Sequence, residues 1–107
     1  IMYIKKQVKY YLIKALRGKY VPEGLVELTK YFVHNDAIRF DYKEDSGGWV
    51  AISKNFRHGS IVTSGKNKKE LENNIKDAIL TSFDVPSAYM KETGIHKVGE
   101  GLEYAIA

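Results

Sequence analysis

Apolar and charged residues alternate along residues 38–43, where Ile38, Phe40 and Tyr42 are separated by Arg39 and Asp41. A period of two is typical of a strand that buries one face and exposes the other. The segment therefore predicts a strand whose aromatic and aliphatic side chains face a core.

A polar turn with Gly47 and Gly48 follows this strand. Glycine can adopt the positive φ that a tight turn requires, so the next apolar run, Trp49–Ile52, is expected to return as a hairpin partner. Ile61–Thr63 is a third short apolar run after a polar break. Together these segments predict a three-stranded antiparallel meander.

A helix with clear start and stop signals is predicted next. Asn67 can accept a hydrogen bond from an amide of the first turn, and Glu70 can reach back to close a capping box. Apolar residues then recur at helical spacing on one face: Leu71, Ile75, Ala78, Ile79 and Phe83. Val85 precedes Pro86, and this disfavours helical geometry at Val85 and ends the helix.

The two ends of the chain complete the predicted architecture. Helices are predicted at Tyr3–Arg17 and Pro22–His34, and Leu102–Ile106 can add a fourth strand at an edge of the sheet. The fold class is therefore α+β, with a meander packed on one amphipathic helix and preceded by a helix pair. We expect one domain of 107 residues, with a basic helical extension (1–35), a core (36–86) and a tail (87–107).

The predicted helix pair has two interpretations. Its short connector, which begins with Gly18, is compatible with a helix-turn-helix. The second helix carries Glu23 and Glu27, however, and acidic side chains suit base reading poorly. Packing or a dimer contact is therefore favoured over DNA reading, and a homo-oligomer is expected.

The formal net charge of +4 is concentrated near the N-terminus, where residues 1–35 hold seven Lys or Arg and two Glu. A basic block of this kind can bind an anionic partner such as nucleic acid. It is equally compatible with lysine side chains that only face solvent. The chain has no cysteine, no apolar run of membrane-spanning length and no secretory signal. We therefore expect a cytoplasmic protein with no membrane partner.

The sequence offers no pattern expected of an active site. His34, His58 and His96 lack metal-ligand spacing. Gly59–Asn67 is close to a phosphate-binding loop, but five residues separate its glycines and Asn67 replaces the hydroxyl that would hold magnesium. An enzyme, a metal and a cofactor are therefore not expected.

The middle of the chain, about residues 38–85, carries an acidic turn, a Gly-Gly-aromatic-Val-Ala run, two later glycines and four helix positions of one pattern. These residues are Asp45, Gly47, Gly48, Trp49, Val50, Ala51, Gly59, Gly65, Glu70, Asn74, Ala78 and Ile79. With this pattern the segment resembles the HicB-like antitoxins of toxin–antitoxin pairs. The family's proline-rich segment between its second and third strands is replaced here by residues 53–60, which are basic and lack proline.

The resemblance implies a β-β-β-α core over residues 36–86 and a non-catalytic function. A HicB-like domain binds a small RNA-cleaving toxin and covers its active histidine and RNA surface. The pair represses its own operon when a separate DNA-binding segment is present. The residues assigned to toxin binding are Trp49, Lys54, Phe56, Arg57 and His58.

A second hypothesis is a nucleic-acid-binding module that resembles a double-stranded RNA-binding domain. Counting the first N-terminal helix and dismissing the second gives the order helix, three strands, helix, and the last helix would begin with lysines that grip phosphate. The residues assigned to this role are Lys66, Lys68, Lys69, Lys5, Lys6 and Lys9. The order holds only if one of the two N-terminal helices is not counted.

Overall fold

A computed structural model of the protein describes residues 23–106. The elements are α1 (Glu23–His34), β1 (Ile38–Asp45), β2 (Gly48–Ser53), β3 (Val62–Gly65), α2 (Lys68–Ser82), a 3₁₀ turn (Ser87–Tyr89), α3 (Met90–Thr93), β4 (His96–Lys97) and β5 (Glu103–Ala105). The predicted α+β class is confirmed. The predicted helix Tyr3–Arg17 and the candidate residues Lys5, Lys6 and Lys9 lie outside the described residues.

The sheet has five antiparallel strands in the order β3-β2-β1-β5-β4. The predicted C-terminal strand forms at Glu103–Ala105, but it is not at the edge, because β4 pairs with its outer side. The expectation of an edge strand at Leu102–Ile106 is therefore wrong. Only two residues, His96 and Lys97, form β4, and so short a strand shows no alternation that the sequence could reveal.

The hairpin between β1 and β2 turns through two residues, Ser46 and Gly47, which have φ values of 50° and 82°. Two successive positive φ angles are the requirement of a type I′ turn, whose twist matches that of the flanking strands. This turn length pairs Asp45 with Gly48 and fixes the register along the whole hairpin. Tyr42 consequently lies opposite Ala51.

Helix α2 begins at the predicted cap, where the Oδ1 of Asn67 accepts a hydrogen bond from the backbone N–H of Glu70 at 2.9 Å. The helix ends at Ser82, three residues before the predicted stop at Val85, and Asp84 adopts a positive φ of 57°. Its buried side chains are Leu71, Ile75, Ile79 and Leu80. The early end lets the chain turn back, so that Val85 is buried in the core.

Strand β3 lies unusually close to α2. A Cβ atom on Gly65 would lie 2.5 Å from the backbone nitrogen of Leu71 and 2.8 Å from its Cα. The Nδ2 of Asn74 donates a hydrogen bond of 2.7 Å to the carbonyl oxygen of Ser64. A residue without a side chain is therefore needed where the strand enters the helix.

The core lies between one face of the sheet and helices α1 and α2. The largest fully buried side chains are Leu28, Ile38, Leu71, Ile75, Ile79, Leu80 and Tyr104. The opposite face of β1, β2 and β3 carries three apolar side chains: Ile52 and Val62, which are 40% and 60% accessible, and the partly buried Val50. Among residues 23–106, no helix packs on that face.

Candidate binding surfaces

The segment that was assigned to toxin binding contains a basic loop, residues 54–58, between β2 and β3. Its backbone is fixed by side chains. Asn55 accepts a hydrogen bond from the N–H of Arg39 at 2.7 Å and donates one to the carbonyl of Ala37 at 2.9 Å. The N–H of Arg57 donates to the hydroxyl of Tyr31 at 3.2 Å. The loop is therefore held against α1 and the start of β1.

An aromatic cluster lies under the basic loop. The ring of Tyr31 on α1 is 5.2 Å from that of Phe56, 5.4 Å from that of His58 and 5.6 Å from that of Phe83. Phe56 is half-buried in this cluster, whereas His58 remains exposed. Phe56 is thus chiefly a packing residue that anchors the loop, and the surface of the loop is formed by its polar side chains.

The exposed side chains of the basic loop are Lys54, Arg57 and His58. The Nζ of Lys54 lies 3.4 Å from a carboxylate oxygen of Asp41 on the neighbouring strand. Exposed ion pairs of this kind contribute less than about 1 kcal/mol. Lys54 is therefore held only weakly, while Arg57 and His58 project from a fixed backbone.

Trp49 lies at the opposite end of β2 from the basic loop. Five residues of extended chain separate it from Lys54, a distance of about 16 Å. The five residues assigned to toxin binding therefore do not form one patch. Four of them lie together in the loop, and Trp49 belongs to a different corner of the molecule.

At that corner Trp49 meets a residue from the competing hypothesis. The ring centroids of Tyr42 and Trp49 are 5.5 Å apart, and the Nζ of Lys68 lies 5.5 Å from each of them. An ammonium over two aromatic faces is attracted by both rings. Lys66, Lys68 and Lys69 are all exposed at the start of α2, and Lys68 is in addition held over the two rings.

This aromatic corner was not recognised from the sequence, although a signal was present. A two-residue turn at Ser46 and Gly47 fixes the register, and in that register Tyr42 and Trp49 are diagonal neighbours on one face. A two-residue turn, if assigned from the sequence, would therefore have predicted the contact between Tyr42 and Trp49. The position of Lys68 over both rings depends on how α2 packs and had no local signal.

Tyr104 on β5 is the one buried side chain whose hydroxyl has no hydrogen-bond partner among residues 23–106. Its ring packs edge-to-face on Phe40, with centroids 6.1 Å apart. Burial, and to a lesser degree the nearby carboxylate of Glu72, raise the pKa of Tyr104 above its usual range. Glu72 itself accepts a hydrogen bond of 2.8 Å from the Nζ of Lys97.

Within residues 23–106, no group of three or more His, Cys, Asp or Glu side chains is placed to hold a metal ion. No helix in the same range has the length and apolar character needed to cross a membrane. Comparisons with models of known protein families, with curated proteins and with solved structures give no match.

Proposed function

We propose that this protein is a non-catalytic antitoxin of the HicB type, which binds a small RNA-cleaving toxin in the cytosol and blocks it sterically. The proposal rests on one structural observation, the packing where β3 enters α2. Three residues of the HicB-like pattern meet there: Gly48, Gly65 and Asn74. A Cβ on Gly48 would lie 3.0 Å from the carbonyl oxygen of Gly65, and Gly65 itself approaches the backbone of α2.

This junction supports the proposal because it gives one physical reason for residues that are scattered in the sequence. Gly65 removes a side chain where the helix backbone is closest, and Asn74 bonds the carbonyl of the preceding strand residue, Ser64. The spacing of these positions then reflects one packing arrangement rather than unrelated turn glycines. A resemblance to the HicB-like family requires that the positions of its pattern serve one packing arrangement in this chain.

The proposed toxin-binding surface is the basic loop, with Lys54, Arg57 and His58 as contacts and Phe56 as their anchor. Because Asn55 and Tyr31 already fix the loop backbone, little conformational entropy is lost when a partner binds. Trp49 would contact the same partner only if the partner extended along the full length of β2. Toxin inhibition by this surface needs no catalytic residue.

The proposal is tested with the protein encoded by the reading frame next to this gene, since toxins and antitoxins of this type are paired. We expect that protein to arrest growth and cleave RNA when expressed alone, and both effects to be relieved by co-expression with this chain. Purified together, the two should form a complex. A neighbour that has no toxicity, or a toxic one that this chain neither binds nor neutralises, would contradict the proposal.

The binding surface is tested by reversing charge in the loop. Arg57→Glu should weaken the complex because its side chain is exposed and only its backbone N–H holds the loop. Lys91→Glu is the matched control, since Lys91 is also exposed but lies in α3. Equal affinity of the two variants would remove the basic loop from the interface.

Binding of double-stranded RNA is the second candidate function, favoured by Lys66 and Lys69, which are exposed at the start of α2. Residues 23–82 also have the order helix, three strands, helix, although β4 and β5 follow. Neutralising Lys66 or Lys69 should each lower the slope of log affinity against log salt by about 1. Lys91→Ala should leave that slope unchanged, and an unchanged slope in all three variants would reject this function.

A further inference from the structure

Strand β3 forms one edge of the sheet, and within residues 23–106 no strand pairs with its outer side. The N–H of Ser53 donates to the carbonyl of Ile61 at 2.9 Å, which marks Ile61 as bonded to β2. Because these bonds alternate along an antiparallel ladder, Val62 and Ser64 direct their N–H and C=O groups away from β2. The hydrogen bond from Asn74 to the carbonyl of Ser64 agrees with this direction.

The edge strand is short, with four residues, but it lacks the charged and proline residues that often prevent strand-to-strand contact. Residues 59–65 contain no charged residue and no proline. Natural proteins commonly protect an exposed edge with a lysine, a proline or a bulge. Val62 is also the most accessible of the large apolar side chains in the described part of the chain, at 60%. Among residues 23–106, therefore, no strand occupies this edge, its one outward bond runs from Asn74 to the carbonyl of Ser64, and it carries apolar surface.

We infer that β3 pairs antiparallel with β3 of a second copy of this chain and joins the two sheets into one. A two-fold axis near Thr63 places Val62 opposite Ser64 of the partner subunit. Both outward-facing residues of the strand are then used, and each such pair exchanges two hydrogen bonds. The carbonyl oxygen of Ser64 would accept one of these bonds with its second lone pair, in addition to the bond from Asn74. Self-pairing suits this edge because each copy supplies the same alternating row of donors and acceptors.

The charges of α2 are complementary under the same symmetry. The two copies of α2 would lie on the same face of the joined sheet and run antiparallel. The start of α2 carries Lys66, Lys68 and Lys69, whereas its last turn has no basic residue and is followed by Asp84. The lysine-bearing end of one helix would thus point towards the carboxyl end of the other, where backbone carbonyls give partial negative charge.

One side chain opposes the pairing. Asp77 lines the groove between β3 and α2 together with Val62 and Thr63, so the two copies of Asp77 would approach each other near the axis. Like charges weaken association, and a contact based on one short strand is also at the small end of specific interfaces. We therefore expect a dimer that dissociates on dilution and tightens when Asp77 is neutralised.

The experiment measures the oligomeric state of the full-length protein alone, by sedimentation over a wide range of concentrations. Wild type should change from monomer to dimer as concentration rises. Ser64→Pro should remain monomeric, because it removes an outward N–H without touching a bond to β2. Ser64→Ala is the matched control, keeps that N–H and should dimerise like wild type, whereas Asp77→Asn should dimerise at lower concentration.

A second readout does not depend on whether the proline variant folds. In wild type, amide hydrogen exchange at Val62 and Ser64 should slow as concentration rises, while exchange at exposed amides of α3 should not. A wild-type monomer at every concentration would overturn the inference, as would equal dimerisation of Ser64→Pro and Ser64→Ala. Because no toxin is present, these outcomes are independent of the proposed antitoxin function.

Discussion

Substitution of Gly65 by alanine tests whether the junction of β3 and α2 is as tight as its geometry indicates. The added Cβ would lie 2.5 Å from the nitrogen of Leu71 and 2.8 Å from its Cα. Both atoms belong to the helix backbone and cannot rotate away as the end of a side chain can. Either β3 or the first turn of α2 must therefore shift.

The expected loss of stability follows from two opposing terms. Overpacking of a well-filled site costs up to about 3 kcal/mol, and the upper value applies here because the opposing atoms are backbone. Replacing glycine by alanine also restricts the unfolded chain, which returns up to about 1 kcal/mol. The net change is a loss of about 2 kcal/mol, which lowers the Tm of a domain of this size by about 10 °C.

Urea unfolding followed by tryptophan fluorescence is the appropriate assay, since Trp49 is the single tryptophan and lies opposite Gly65 in the β2–β3 register. Gly101→Ala is the matched control, because a Cβ at Gly101 would meet no atom within 4 Å. We expect the control to be at least as stable as wild type and up to about 1 kcal/mol more stable, because the same restriction of the unfolded chain applies without any clash. If Gly65→Ala is as stable as Gly101→Ala, then β3 does not lie as close to the backbone of α2 as described.

Three further changes have defined outcomes. Tyr104→Phe removes a buried hydroxyl without a described partner and should stabilise the fold by up to about 1 kcal/mol in urea unfolding at neutral pH. Burial, with a smaller effect of Glu72, raises the pKa of folded Tyr104, so the unfolded tyrosine ionises first and wild-type stability should fall above about pH 10. The Phe variant should lose less stability there, and an equal loss in both proteins would contradict the assigned cause. Asn67→Ala should cost about 1 kcal/mol in thermal unfolding by removing the N-cap bond, whereas Asn67→Ser should retain most of it; equal losses would exclude the cap. Lys68→Met should cost about 0.5–1 kcal/mol and alter the emission of Trp49, and an unchanged spectrum would show that Lys68 does not lie over the rings in solution.

Much of the fold was predictable because its signals are local. The glycine turn after β1, the cap at Asn67 and the apolar stripe of α2 each depend on residues that are close together in the sequence. The turn itself is shorter than predicted, because Asp45 and Gly48 pair as strand residues. The end of α2 was predicted three residues late, because Pro86 limits where a helix can stop but not how early it stops. There the positive φ of Asp84 turns the chain before the proline is reached.

The candidate surfaces were predicted less well, because they depend on which ends of the strands come together. Phe56 was assigned to binding, but packing of α1 brings Tyr31 against it and the end of α2 brings Phe83. Trp49 was assigned to the same binding surface as the basic loop because aromatic residues are frequent at interfaces, yet an extended strand carries it to the other end of the sheet. Two residues at opposite ends of a strand are close in sequence but far apart in space, because an extended chain rises by about 3.3 Å per residue.

The sequence by itself determined the α+β class, a β1–β2 hairpin with a glycine turn and the start of α2, since each follows from turn chemistry or periodicity over a few residues. Only the tertiary structure decided that β5 lies inside the sheet, that Tyr104 is buried and that Lys68 covers Tyr42 and Trp49. Those features depend on contacts between segments far apart in the chain. Such contacts are selected by the packing of the whole core, and no short stretch of sequence encodes them.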